Sequence, residues 1–163
     1  MRVRTFHRLE RGAELLEFAF VMAILLTLML GIIWFARAYN VHQTLTRAAR
    51  EGARVAAMPS SFAAGNTFAD PSGVSRDNSS VFANQIAPVL RSANLDPGKV
   101  TEYTEQVEWL NAGETSPQCG VVISFSYPFR LAIPFTGIGA TTIPLSARAQ
   151  MRRENQPAAG RCP

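Results

Sequence analysis

Nineteen consecutive residues, Phe18 to Ala36 (FAFVMAILLTLMLGIIWFA), carry no formal charge. Coiled as a helix they extend about 29 Å, against roughly 30 Å of hydrocarbon in a bilayer. A helix in a soluble core shows polar residues on one face every third or fourth position. Here Thr27 is the only polar side chain in the run. The segment reads as a membrane span, and a chain of 163 residues that starts this way has room for one modest domain beyond it.

The leader before the span, MRVRTFHRLERG, holds Arg2, Arg4, Arg8 and Arg11 against one acid, Glu10. A basic stretch before an apolar run also describes an export signal. This run is longer than the usual signal core, however, and no small-x-small cleavage site follows it. Helical rhythm continues instead through IIWFARAYNVHQTLTRAAREGARVAA, so the helix is expected to be retained. Orientation is not decided by arginine count, because Arg37, Arg47, Arg50 and Arg54 follow the span and match the four before it. The closeness of Arg8 and Arg11 to the span, the α-amino charge and the cysteines of the far side favour a cytoplasmic N-terminus.

The helix is expected to start near Arg8–Gly12 and to end at about Ala57, before Pro59. Past the span, Val41, Leu45, Ala48, Ala49 and Val55 or Ala56 recur at spacings of three and four. Arg47, Arg50 and Arg54 take the other side, with Glu51 in reach of Arg47 and Arg54. One helix thus changes solvent midway, and its amphipathic half needs a surface to lie on. Residues 59–78 read as a loop rich in Ser, Asn, Gly and Pro. A shorter helix is expected over Ser79–Ala93, capped by Asp77 or Asn78 and kinked at Pro88, with Phe82, Ile86, Val89 and Leu90 on one face.

From Asp96 the period changes to two. Strands are expected over Lys99–Trp109, Cys119–Phe129 and Thr142–Arg152. In the second, Val121, Ile123, Phe125 and Tyr127 share one face and Val122, Ser124 and Ser126 the other. The loop PFRLAIPFTGIGA joins the last two strands. Three strands with one buried and one wet face imply a small antiparallel sheet that the long helix covers. The fold class is therefore α+β: a long N-terminal transmembrane and amphipathic helix packed on a small antiparallel sheet. Its parts are a leader at 1–12, the helix at 13–57 with its span at about 18–36, loop and short helix at 58–98, sheet at 99–155 and tail at 156–163.

Cys119 and Cys162 permit one pairing, which in an oxidising compartment would stabilise by about 3–4 kcal/mol; two unrelated free thiols are the alternative. The bridge is favoured because nothing else pins Cys162 on its tail. The net charge of +4 comes from arginines, Lys99 being the one lysine. No stripe of arginines interleaved with aromatics lies outside the flanks of the span, where headgroups account for them, so no nucleic acid is expected. No catalytic motif, metal-binding group or cofactor loop stands out. His7 and His42 fall on opposite sides of the span, and Glu102, Glu105 and Glu108 read as a solvated edge rather than an acid pair. Neither enzymatic activity nor a cofactor or metal is expected.

The junction RGAELLEFAF, residues 11–20, sets Glu17 beside the hydrocarbon and Glu14 one turn before it. A carboxylate at mid-bilayer costs about 2.5–3.5 kcal/mol, and less at the interface. Either both acids reach the headgroups and do nothing more, or Glu17 meets a cation elsewhere in an assembly. At these residues, and through GIIWFARAYNVHQTLTRAAREGARVAA with its Ala-Ala-Arg-Glu-Gly-Ala-Arg at 48–54, the chain resembles the TadE-like pseudopilins of tight-adherence (Flp-type) pilus assembly, relatives of type IV pilins. VVISFSYPFR and the final strand ending ARAQMRRE are weaker matches. The resemblance implies a pilin-like fold and cleavage by prepilin peptidase between Gly12 and Ala13. Glu17 and Phe18 then become the fifth and sixth residues of the mature chain, and Glu17 would meet the free amino group of a neighbouring subunit.

The resemblance further implies a minor pseudopilin or assembly component in the bacterial inner membrane. Its C-terminal domain would be extracytoplasmic, and its partners would be the peptidase, other pilin or pseudopilin subunits, pilus-assembly membrane proteins and the bilayer. An uncleaved signal-anchor tethering an extracytoplasmic binding domain is the alternative, and an anchored hydrolase ranks last for want of a nucleophile.

Overall fold

The computed structural model describes residues 6–58, with side chains from residue 12, and residues 76, 79–113, 117–131, 141–153 and 162. The loop at 59–75, the proposed caps Asp77 and Asn78, the connection at 132–140 and most of the tail lie outside the described residues.

Helix α1 runs without a break over Phe6–Ala57. It starts a little before the expected boundary because no proline or cap intervenes in the leader, and it stops where expected. Above the span, Leu45, Ala48, Ala49, Ala53 and Ala57 are buried and Arg47, Arg50 and Arg54 exposed. Ala56, rather than Val55, continues the stripe against the core. The buried positions are mostly small for a reason visible at Gly52. A methyl group there would sit 2.9 Å from Ile86 Cδ1 and Cγ1 and 3.2 Å from Ile123 Cδ1, so the backbone of α1 is close to both neighbours.

The second helical segment has two parts. A π-helical turn, Phe82–Ile86, leads into α2, Ala87–Ser92. Pro88 lacks a backbone N–H and crowds the carbonyl four residues earlier. The widened turn comes directly before it, at the expected site of irregularity. Ser79 caps the segment: its Oγ accepts from the Phe82 N–H at 3.0 Å. Val81, Phe82, Ile86, Ala87 and Leu90 are buried and Val89 is partly buried. The chain turns out of α2 through Asn94, whose φ of 60° is left-handed.

Strands β1 (Thr101–Leu110), β2 (Gln118–Leu131) and β3 (Thr141–Arg152) form an antiparallel sheet in the order β1-β2-β3. The long helix packs on β2 and β3. Across the sheet the core-facing rows align Val107–Val121–Met151 and Glu105–Ile123–Ala149, with Phe125 opposite Ala147. Phe125, Ile123, Leu45, Ile86 and Leu90 are fully buried, each contributing about 1.5–3 kcal/mol of transfer free energy.

The outer face of β2 departs from the wet face expected of it. Val122 and Ser126 are buried. As the middle strand, β2 is closed over by side chains of both neighbours. Arg148 Nη2 donates to Glu108 Oε1 at 2.9 Å, and the register places this ion pair diagonally across β2 over the position of Val122. Ser124 Oγ and Thr104 Oγ1 pair at 2.9 Å beside it. Cys119 and Cys162 form a disulfide with their Cα atoms 5.5 Å apart, which ties the end of the tail to the start of β2.

Candidate anchoring and assembly face of the long helix

Between Gly12 and Arg37 the helix runs past the packed core, and only from Ala23 onward does it border the sheet, at the Leu131/Ile143 end. Leu15, Leu16, Phe18, Phe20, Ile24, Leu28, Ile32 and Phe35 are all exposed, and none of the most apolar stretch is buried within the chain. Each such side chain forgoes about 1.5–3 kcal/mol by facing water. Together eight of them forfeit about 12–24 kcal/mol, as much as or more than a typical domain's whole stability of about 5–15 kcal/mol. Lipid or other protein must therefore cover this surface, and a helix this long and apolar suggests membrane anchoring. Thr27 fits that setting, since its hydroxyl donates to the Ala23 carbonyl at 2.8 Å and leaves no proton unpaired.

The C-terminal end of the apolar run carries an aromatic and cationic collar. Phe35 and Tyr39 stack at 6.3 Å between centroids, and the Arg37 guanidinium lies 5.9 Å from the Trp34 ring. Rings that are apolar in body and polar at the tip favour the headgroup level. Higher up, Arg47, Arg50 and Arg54, with Tyr39 and His42, line an open groove of about 580 Å³ that reaches Met151. Glu51 lies in their midst, one acid against three arginines, so this face is net cationic.

At the N-terminal end of the apolar run, Gly12, Ala13, Glu14, Glu17 and Phe18 all lie in an exposed stretch of α1. Helical spacing puts Ala13 and Glu17 one turn apart and Glu14 and Glu17 on neighbouring rows of one face. Neither acid makes a hydrogen bond or ion pair with another described residue. A methyl group at Gly12 would meet nothing within 4 Å. The Gly12–Ala13 peptide lies inside the helix, so a protease that reads an extended backbone has to unwind it first; a glycine lowers that cost by about 1 kcal/mol relative to alanine.

One polar cluster overturns the sequence expectation. Glu105 is 2% exposed and is not part of a solvated edge. Ser79 Oγ donates to its Oε2 at 2.5 Å and the Tyr103 hydroxyl at 3.0 Å, while the two hydroxyl oxygens lie 3.1 Å apart. Burial first, and then the charge of Glu105, hold the Tyr103 phenol well above its ordinary value of 10.0. Period two places Glu105 in phase with Tyr103 and Val107, which are both buried, so strand parity carried the signal. The cluster is closed to solvent. It joins the start of the π-helical turn to the sheet rather than forming a site.

The family model described as TadE-like protein matches residues 12–54, the exposed and amphipathic parts of α1, and leaves the sheet outside the match. Neither a curated protein nor a solved structure matches the chain.

Proposed function

Starting from a helix whose residues 12–54 match the TadE-like family, itself suggestive of a Tad pilus-associated component, we propose that the chain is a membrane-anchored minor pseudopilin or assembly component of a tight-adherence pilus system. The single observation carrying this reading is a bare apolar helix whose edge bears the carboxylate of Glu17, which pairs with no other described residue. Stored in the inner membrane, such a helix is covered by lipid. Moved into an assembly, it is covered by the helices of neighbours, and Glu17 then needs a cation. Prepilin peptidase acting after Gly12 supplies one, the new α-amino group of Ala13 on an adjacent subunit. The same cut removes four arginines that no helical bundle accommodates.

In this reading the N-terminus is cytoplasmic, the sheet domain is extracytoplasmic, and the protein acts by assembly rather than catalysis. Its partners are the peptidase, other pilin or pseudopilin subunits and the membrane proteins that move them. N-terminal sequencing after co-expression with the peptidase is expected to return Ala13 as the first residue. A terminus still at Met1 refutes processing and favours an uncleaved anchor for an extracytoplasmic binding domain. Glu17→Ala is expected to leave membrane insertion intact and to reduce piliation.

A further inference from the structure

Where the sheet domain meets the span, a groove of about 970 Å³ opens between α1 and the lower end of β2 and β3. Leu26, Leu30 and Trp34 stand on the helix wall, and Phe129, Leu131 and Ile143 on the sheet wall. Among the described residues none lining it is charged, and the one hydroxyl group among them, on Thr27, is already bound to the helix backbone. Ile143 is 42% exposed although it lies in the core-facing row of its strand.

The depth of this groove follows from the geometry. Gly52 and Ile123 are in near contact, which fixes one level common to helix and sheet. From Ile123 to Leu131 the strand descends about 26 Å. An equal descent along the helix takes about seventeen residues and arrives near Phe35. The groove itself borders helix positions from Ala38 down to Ala23, and Ala23 lies about 20 Å of helix below the outer end of the span at Ala36. A domain resting above the headgroups would have to clear the hydrocarbon edge by about 5–8 Å. The lower edge of this sheet does not clear it.

We propose that the Leu131/Ile143 end of the sheet is seated in the bilayer at the boundary between headgroups and acyl chains, and that phospholipid acyl chains of that leaflet fill the groove. The inference rests on residues 18–36 being the span. The groove is continuous with the lipid-facing surface of that helix, so its occupant is the medium that already surrounds α1. The sheet domain is then a second, shallow anchor. It restrains the swing and rotation of the domain about α1, and leaving the membrane requires exchange of lipid for protein on the sheet as well as on the helix.

The test uses the full chain with its disulfide oxidised, reconstituted in nanodiscs at one copy per disc. Single probe sites are Ile143→Cys, Ile24→Cys on the span and Arg54→Cys on the distal helix, each carrying an environment-sensitive fluorophore. Quenching is read with lipids bearing a nitroxide high or low on the acyl chain. The Ile143 probe is expected to be quenched to within about twofold of the Ile24 probe, with the shallow nitroxide the more effective, and the Arg54 probe to be unquenched. Quenching at Ile24 with none at Ile143 overturns the proposal and leaves the span intact. An unquenched Ile24 probe overturns both. Quenching at Ile143 that disappears in discs holding two copies overturns lipid as the occupant and identifies a second copy of the apolar helix there.

Discussion

Glu105→Ala is expected to destabilise the sheet domain by about 3–5 kcal/mol, a large share of the roughly 5–15 kcal/mol that a domain has. The magnitude follows from three parts. The buried carboxylate accepts from Ser79 and Tyr103, and a hydrogen bond to a charged group contributes about 1.5–3 kcal/mol. With the carboxylate gone, the two hydroxyls, already 3.1 Å apart, bond to each other, so one proton rather than two is stranded. The cavity adds about 1 kcal/mol for some 50 Å³ at 24 cal/mol per Å³. The carboxylate also carried a desolvation cost, which its removal returns. Filling the space with an apolar side chain and removing the phenol together, as in Glu105→Leu with Tyr103→Phe, is therefore expected to cost less than the sum of the single changes. Urea unfolding in nonionic micelles, followed by the near-ultraviolet aromatic signal with the disulfide intact, measures both. A Glu105→Ala protein within about 1 kcal/mol of the parent, or strictly additive single and double changes, refutes the reasoning.

Gly52→Ala gains up to about 1 kcal/mol of helix propensity but forces Ile86 Cγ1 away from a 2.9 Å approach, and overpacking of this kind costs about 1–3 kcal/mol. A net loss of unfolding free energy is expected there and none for Gly31→Ala, where nothing lies within 4 Å. The raised Tyr103 pKa gives a second prediction with a definite sign. The folded state holds this proton more tightly than the unfolded one, so its contribution is complete below the ordinary value of 10.0 and is lost as pH rises above it. Unfolding midpoints measured between neutral and strongly alkaline pH are expected to fall less steeply for Tyr103→Phe than for the parent. Cys162→Ser opens a loop with a sequence separation of 43. It is expected to cost about 2–4 kcal/mol in the same denaturation assay, with the parent under reductant showing a similar loss.

The two halves of α1 were legible because each leaves a local pattern: an uncharged run over 18–36, largely exposed, then apolar positions three and four apart from Val41 that face the core. The strands were legible from period two, which placed each boundary within a few residues. What the sequence withheld was long-range. Glu105 sits in phase with Tyr103 and Val107, yet a carboxylate is seldom buried without a partner, and its partner Ser79 lies 26 residues earlier. Gly52 reads as a weak point of a helix until Ile86 and Ile123 are seen against it. Val122 alternates with serines and so reads as the wet face. It is covered by an ion pair between Glu108 and Arg148, which are 40 residues apart. The exposure of Gly12–Phe18 along α1 accompanies a local pattern, and no other described element packs against it.

The same division makes assembly separable from folding. Side chains from Gly12 to about Phe20 are exposed and pack on no other described element, so substitutions there have little native-state energy to lose. Leu45, Ala48, Ala49, Gly52 and Ala53 are wholly buried against the domain, and every change there is first a change in stability. The family match runs across both classes and stops at residue 54, so resemblance alone does not tell which residues serve assembly. Unfolding free energy does. If Glu17→Ala reduces piliation while its unfolding midpoint stays with the parent, the carboxylate acts between subunits. If Ala49→Leu reduces piliation, its midpoint has to fall as well, since no space exists for the larger side chain. A Glu17→Ala protein whose midpoint drops in step with its assembly would place that carboxylate among the fold's own contacts, where the structure shows none.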